Sequence, residues 1–235
     1  MSRGWKLALV SLLTLLASPT ADSLYAQERG PSVLSLIDAQ QERLGAVAME
    51  IWDLAEVGYQ EYQSSALLQE ELAAAGFSVE AGIAGIPTAF VAEWGSGEPI
   101  IGILAEFDAL PGITQDAVPE RAPLPDKAAG HACGHHLFGT GSTGAAIATR
   151  EWLEATGTPG TIRLYGTPAE EGGAGKVYLV REGYFDDVDV VLHWHPADGN
   201  SASPSTSLAN KSAKFRFHGV SAHAAAAPDR GRSAL

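Results

Sequence analysis

The sequence predicts an α/β sandwich built on a largely parallel sheet. Short apolar runs alternate with segments of helical period along the chain, the pattern of strands joined by crossover helices. Ile100-Ile101-Gly102-Ile103-Leu104 is apolar throughout, as a strand covered on both faces requires. Candidate chemistry then follows three separate strands: Asp108 after 100–105, Glu170 and Glu171 after 161–165, and His195 after 188–192. Ligands gather at the carboxyl ends of strands in such sheets, so this convergence points to one site.

The chain opens with Arg3 and Lys6, an almost wholly apolar run over 7–17, and a cleavage pattern ending at Ala26. Residues 1–26 therefore read as a signal peptide whose apolar run is too short to span a membrane. The expectation is an exported protein, periplasmic or secreted, with no membrane attachment after cleavage. Leu44, Val47, Ala48, Ile51 and Ala55 recur at helical spacing, which predicts one amphipathic helix over roughly 33–57. A second helix covers about 64–75, with Gly76 as its stop. Residues 88–93 and 99–105 read as strands flanking Gly95-Ser96-Gly97, a hairpin-like turn. Residues 112–129, rich in Pro, Ala and Asp, form a surface loop. A helix of small residues runs over 137–156 and stops at Gly157. Then come a strand at 161–165, a helix at 175–182, a buried strand at 188–192 and a Ser- and Pro-containing connection at 197–209. Lys214-Phe215-Arg216-Phe217 alternates as a half-exposed strand does.

Composition narrows the function. Of 235 residues, 46% are apolar and 18% charged, with a net charge of −13. No cluster of Lys and Arg is present to neutralise phosphates, which argues against a nucleic-acid partner. The single cysteine cannot form an intramolecular disulfide, and in an exported protein metal ligation would protect it.

That cysteine lies in Gly130-His131-Ala132-Cys133-Gly134-His135-His136. One glycine between Cys133 and His135 permits a sharp turn that aims both side chains at one point. Glu170 and Glu171 sit in a glycine-rich turn, so one carboxylate can hold a metal while the other takes a proton from water. His193 and His195 flank Trp194; only one need be a ligand, and His195 is nearer the strand end. Thiolate, imidazole and carboxylate together suit a transition metal. Asp108 is placed to hydrogen-bond a ligating imidazole and fix its tautomer. Gly139-Thr140-Gly141-Ser142-Thr143-Gly144 matches the dinucleotide fingerprint, but no apolar strand precedes it, and close helix packing accounts for its glycines better.

The segments AEFDALPG, GHACGHH, GTPAEEGGAGK, LHWHP, SLAN, FRFHGVSAHAA and GRSAL, in this order, resemble the aminoacylase/carboxypeptidase family of metallopeptidases, in its amidohydrolase branch. The resemblance covers roughly residues 35–235. It implies a three-layer sandwich of the phosphorylase/hydrolase type over 27–209, followed at 210–235 by the start of a small α+β lid and dimerisation domain. It implies two divalent metal ions, zinc or manganese, held by Cys133, His135, Glu171 and His195. It places Glu170 as general base, Asp108 behind a ligating imidazole, and His223 of the lid near the substrate carbonyl. The implied reaction is cleavage of the amide bond of small-molecule N-acyl amino acids, aminobenzoyl-glutamate-like compounds among them, by a homodimer in the full-length form. His136 stands where this branch often has Asp or Asn. The family also takes a further histidine ligand from beyond position 235, so the alternative expectation is a truncated, inactive chain that binds metal weakly or only associates with other chains.

Overall fold

The computed structural model describes residues 30–202, 206 and 208–234. The signal segment lies outside the described residues. The chain divides into two compact units, one reaching Pro196 and the other beginning at Ala197.

The first unit holds α1 (Val33–Asp38), α2 (Gln41–Leu54), α3 (Tyr62–Ala74), β1 (Ser78–Ala81), β2 (Phe90–Ser96), β3 (Ile100–Ala105), β4 (Leu110–Pro111), β5 (Ala129–Gly130), α4 (His135–Thr156), β6 (Gly160–Gly166), α5 (Gly175–Arg181) and β7 (Val190–Leu192). Five strands form one mixed sheet in the order β1-β2-β6-β3-β7. β1, β2 and β6 pair antiparallel, whereas β6, β3 and β7 pair parallel. The α/β class is as the sequence predicts, and the parallel half is the half that carries the candidate chemistry.

Residue alternation explains the layers. Phe90, Ala92, Ile103, Ala105, Ile162 and Leu164 point to one face, where they pack with Val47 and Ile51 of α2, Leu68 and Leu72 of α3, and Ala146 and Ile147 of α4. Leu104 and Tyr165 point to the other, where they pack with Leu179 of α5, and with Ile83, Ile86 and Ala89. Helices thus cover both faces, and α4 lies against β3 and β6.

Several sequence expectations are corrected. The hairpin at Gly95-Ser96-Gly97 does not form, because β6 inserts between β2 and β3, running antiparallel to one and parallel to the other. Gly95 serves a different need: with φ at 96°, it lets the backbone pass so close to β6 that a Cβ would lie 2.2 Å from the Gly160 carbonyl oxygen. Among the described residues strand β7 has a single neighbour, and its three residues are exposed, not buried; apolar composition does not separate an edge from a centre. The helix over 33–57 is two helices broken at Ala39 and Gln40. Residues 214–217 form no strand, and Phe215 and Phe217 are exposed; the second unit's backbone pairing is a bridge between Val220 and Arg232. Alternation makes a strand only where another strand supplies the hydrogen bonds. Strand β1 is an addition to the expected elements. No helix among the described residues is long and apolar enough to cross a membrane.

Candidate metal centre

Because β3, β6 and β7 run parallel, their carboxyl ends meet on one edge of the sheet. Glu106 and Asp108 follow β3, Glu170 and Glu171 follow β6, and His193 and His195 follow β7. The turn before α4 brings up the fourth segment. Gly134, with φ at 85°, reverses the chain between Cys133 and the first helical residue, His135.

The side chains converge. Cys133 Sγ lies 3.3 Å from His195 Nε2. His135 Nε2 lies 4.0 Å from both Glu170 Oε2 and Glu171 Oε1, and 3.0 Å from Glu106 Oε2. One donor atom from each of Cys133, His135 and His195 falls within 4.8 Å of the others, and so does one from each of Glu106, His135 and Glu170. His223 belongs to the second unit, where its Nδ1 accepts the N–H groups of Ala225 and Ala226.

The tautomers are set by the other ring nitrogens. His135 Nδ1 donates to Asp108 Oδ1 at 2.9 Å, and His195 Nδ1 donates to the Pro196 carbonyl at 2.9 Å. Both rings therefore present Nε2 to the centre. The second oxygen of Asp108 accepts the Glu171 N–H at 2.9 Å, so one carboxylate orients an imidazole and the acidic turn together.

Two atoms test whether a cation fits. His135 Nε2 is buried with the Glu106 carboxylate 3.0 Å away, and Glu171 Oε1 is buried without a hydrogen-bond partner; both face the centre. Buried polar atoms are rarely left without a partner. A divalent cation satisfies an imidazole nitrogen and a carboxylate oxygen at once, with a thiolate and a second imidazole beside them, so the donor set fits a divalent transition metal.

Electrostatics follow from the crowding of anions. Burial and the neighbouring Glu171 and Glu170 carboxylates push the Cys133 thiol up to about 12. Burial works against charge on His135, yet Asp108 and Glu106 on its two sides push it up to about 10. Burial also works against charge on Glu106, but His135 and Lys176, which ion-pairs with it, hold it down at about 2. Glu170 is raised by partial burial and by Glu106 and Glu171, which moves a carboxylate toward the range of a useful base.

Glu106 and Lys176 are additions to the expected site residues, and His193, weighed against His195 as a ligand, lies beside Glu106. Glu106 is two residues before Asp108, so a strand-like continuation places both on one side, a signal the sequence does contain. His193 Nε2 sits 3.4 Å from Glu106 Oε1. His131 and His136 are buried beside Trp52, their ring centroids 5.2 Å apart, and burial pushes each down to about 4. The dinucleotide-like glycines serve packing: a Cβ on Gly139 would meet the Glu106 carbonyl oxygen at 2.7 Å, on Gly141 the Trp194 ring at 2.8 Å, and on Gly144 Leu44 at 2.6 Å. Ser142 accepts the Trp194 indole N–H at 3.0 Å and donates to the Leu104 carbonyl at 2.7 Å, which anchors the segment bearing His193 and His195.

Comparison with known proteins agrees with this geometry. The chain is 46% identical to a subunit of p-aminobenzoyl-glutamate hydrolase from Escherichia coli K12, over 85% of this chain and 42% of that protein. It is 36% identical to the Xaa-Arg dipeptidase of Mus musculus, over 85% of this chain and 45% of that one. It therefore spans less than half the length of these curated relatives. A dinuclear metal binding peptidase of the M20 family from Bacillus subtilis superposes with a TM-score of 0.56 at 25% identity, over 66% of this chain and 42% of that one. Residues 102–229, which carry every converging side chain just described, match peptidase family M20/M25/M40, and the chain belongs to that family.

Proposed function

We propose that this sequence serves a metal-dependent amidohydrolase that cleaves the amide bond of small N-acyl amino acids, aminobenzoyl-glutamate and similar aromatic acyl-glutamates among them. The observation that carries the reading is the convergence of His135 Nε2 and the buried, unpartnered Glu171 Oε1 on one centre that also holds a thiol and a second imidazole. Cys133, His135, Glu171 and His195 would hold the cations. When bound, two divalent ions would polarise the scissile carbonyl and lower the pKa of water.

The remaining work belongs to the chain. Glu170 is half-exposed beside the centre, so its carboxylate can reach water and take its proton, then return it to the departing amine. Asp108 keeps His135 in the tautomer that presents Nε2. Ser142 holds Trp194 and thereby the chain on both sides of it. His223 is assigned, by the family resemblance, to the substrate carbonyl. The same reading includes export, zinc or manganese as the metal, and a homodimer. No specific observation favours the alternative of an inactive chain.

The test separates the two glutamates. Glu170→Gln should keep metal through dialysis but lose about 10²–10⁴-fold in turnover of p-aminobenzoyl-glutamate. Glu171→Gln should lose metal as well. Equal metal loss in both variants overturns the division of labour, and retention of metal by Glu171→Gln overturns its place as a ligand.

A further inference from the structure

Glu61 is the last residue before α3 and is fully buried. Among the described residues no cation pairs with it. Burying a carboxylate without a counter-charge is among the costliest choices a core can make, and it persists only where hydrogen bonds repay it. Here they are directed at one place. Oε1 accepts the Ala169 N–H at 2.8 Å and Oε2 accepts the Thr88 hydroxyl at 3.0 Å. Ala169 immediately precedes Glu170 and is held at φ 59°, a conformation a non-glycine residue does not adopt without support.

The acidic turn is thereby gripped from two sides. Glu61 holds the N–H of Ala169, and Asp108 holds the N–H of Glu171, with Glu170 between them. Gly58 and Gly173 close on Ala169 so tightly that a Cβ on either would lie 2.9 or 2.7 Å from its Cβ. A purely structural position at the start of α3 would need only a short cap facing its own helix. Glu61 instead reaches across 108 residues of sequence to a backbone amide beside the proposed base.

We propose that Glu61 is a positioning residue for the Glu170–Glu171 turn: its carboxylate fixes the strained Ala169 backbone so that Glu171 meets the cation and Glu170 meets water. It touches neither substrate nor metal. The proposal rests on the metal reading above, and two measurements keep the two separable.

The first is cobalt(II) titration of the metal-free chain, read by the thiolate-to-cobalt charge-transfer band that Cys133 would give. Glu61→Leu, similar in volume but without acceptors, should weaken cobalt about 10–100-fold, as loss of a ligand's supporting hydrogen bond does elsewhere. Glu61→Gln, whose amide oxygen still accepts the Ala169 N–H, should stay within about 3-fold of wild type, a negligible change beside the 10–100-fold expected for Leu. The second is hydrogen exchange of peptides covering 168–173 in the metal-free chain, which should accelerate in Glu61→Leu and not in Glu61→Gln. If Glu61→Leu does not fold, Thr88→Val, which removes only the second partner, should show both effects in weaker form. A folded Glu61→Leu with wild-type cobalt affinity and unchanged exchange over 168–173 overturns the proposal. Absence of the band in wild type, with exchange altered as expected, overturns the metal reading and leaves the positioning role standing.

Discussion

At the scale of single residues, the proposed metal binding sets cations against protons. Without metal, Cys133 keeps its proton up to about 12 and His135 keeps its second proton up to about 10. A metal ion takes deprotonated thiol and neutral imidazole only, so it must expel both. Affinity for zinc should therefore rise steadily from pH 6 to pH 9, and calorimetry in buffers of different ionisation enthalpy should detect at least one proton released per ion bound. Zero release would contradict these protonation states. Folding without metal has the opposite slope from His135. Its raised pKa contributes stability that is fully present below the unfolded value near 6.5 and is lost as pH climbs through about 10. Asp108→Asn tests the shared carboxylate: its amide can serve the His135 N–H or the Glu171 N–H, but not both. Metal affinity should fall about 10–100-fold, measured against a chromophoric chelator.

At the scale of elements, the site depends on how closely α4 approaches the chain end of β7. Gly141→Ala places a methyl 2.8 Å from the Trp194 ring, which can yield only by giving up its hydrogen bond to Ser142. It should cost about 1–3 kcal/mol, read by denaturant unfolding. It should also weaken metal binding, because His195 moves with Trp194. Gly45→Ala is the internal control. Nothing lies within 4 Å of a Cβ there, the position is exposed in α2, and the change should stabilise by about 0.5–1 kcal/mol. A loss at Gly45 would show that glycine in these helices matters for backbone shape and not for contact. The α4 helix, the β3 and β6 strands and the turn at Gly134 were legible because each announces itself locally, by period, by an unbroken apolar run or by a glycine between two ligand-type residues. The pairing order was not legible. Nothing near Gly95-Ser96-Gly97 reports that a strand starting at Gly160 will lie between its two flanks, since that contact is set by packing far along the chain. Glu61 gave no signal either, because the group that ties it to the acidic turn is a backbone amide, which has no identity in a sequence.

At the scale of the whole molecule, the centre gathers groups following β3, β6 and β7 together with the turn before α4, so occupation and global stability are linked. A cation that binds only the folded chain adds about 2.7 kcal/mol at a free concentration one hundred times its dissociation constant. Thermal unfolding should shift upward with zinc or manganese and return on chelation, and the shift should vanish in Glu171→Gln but survive in Glu170→Gln. The motif order that pointed to the family was readable because three of the motifs follow the separate strands β3, β6 and β7 and a fourth forms the turn before α4; the exposure of β7 was not, because an edge and a centre share one composition. The contact between Cys133 and His195 also has a topological meaning. These residues are 62 positions apart, and a chain with one cysteine has no disulfide with which to fasten them. An ion held by both closes a covalent-like loop, and by polymer arithmetic a tie of that length removes about 4 kcal/mol of disorder from the unfolded chain. Under the export and metal ligation proposed above, in a chain so poor in sulfur, a metal at this site would double as the missing staple, so metal starvation should expose the chain to proteolysis as well as abolish the proposed hydrolysis.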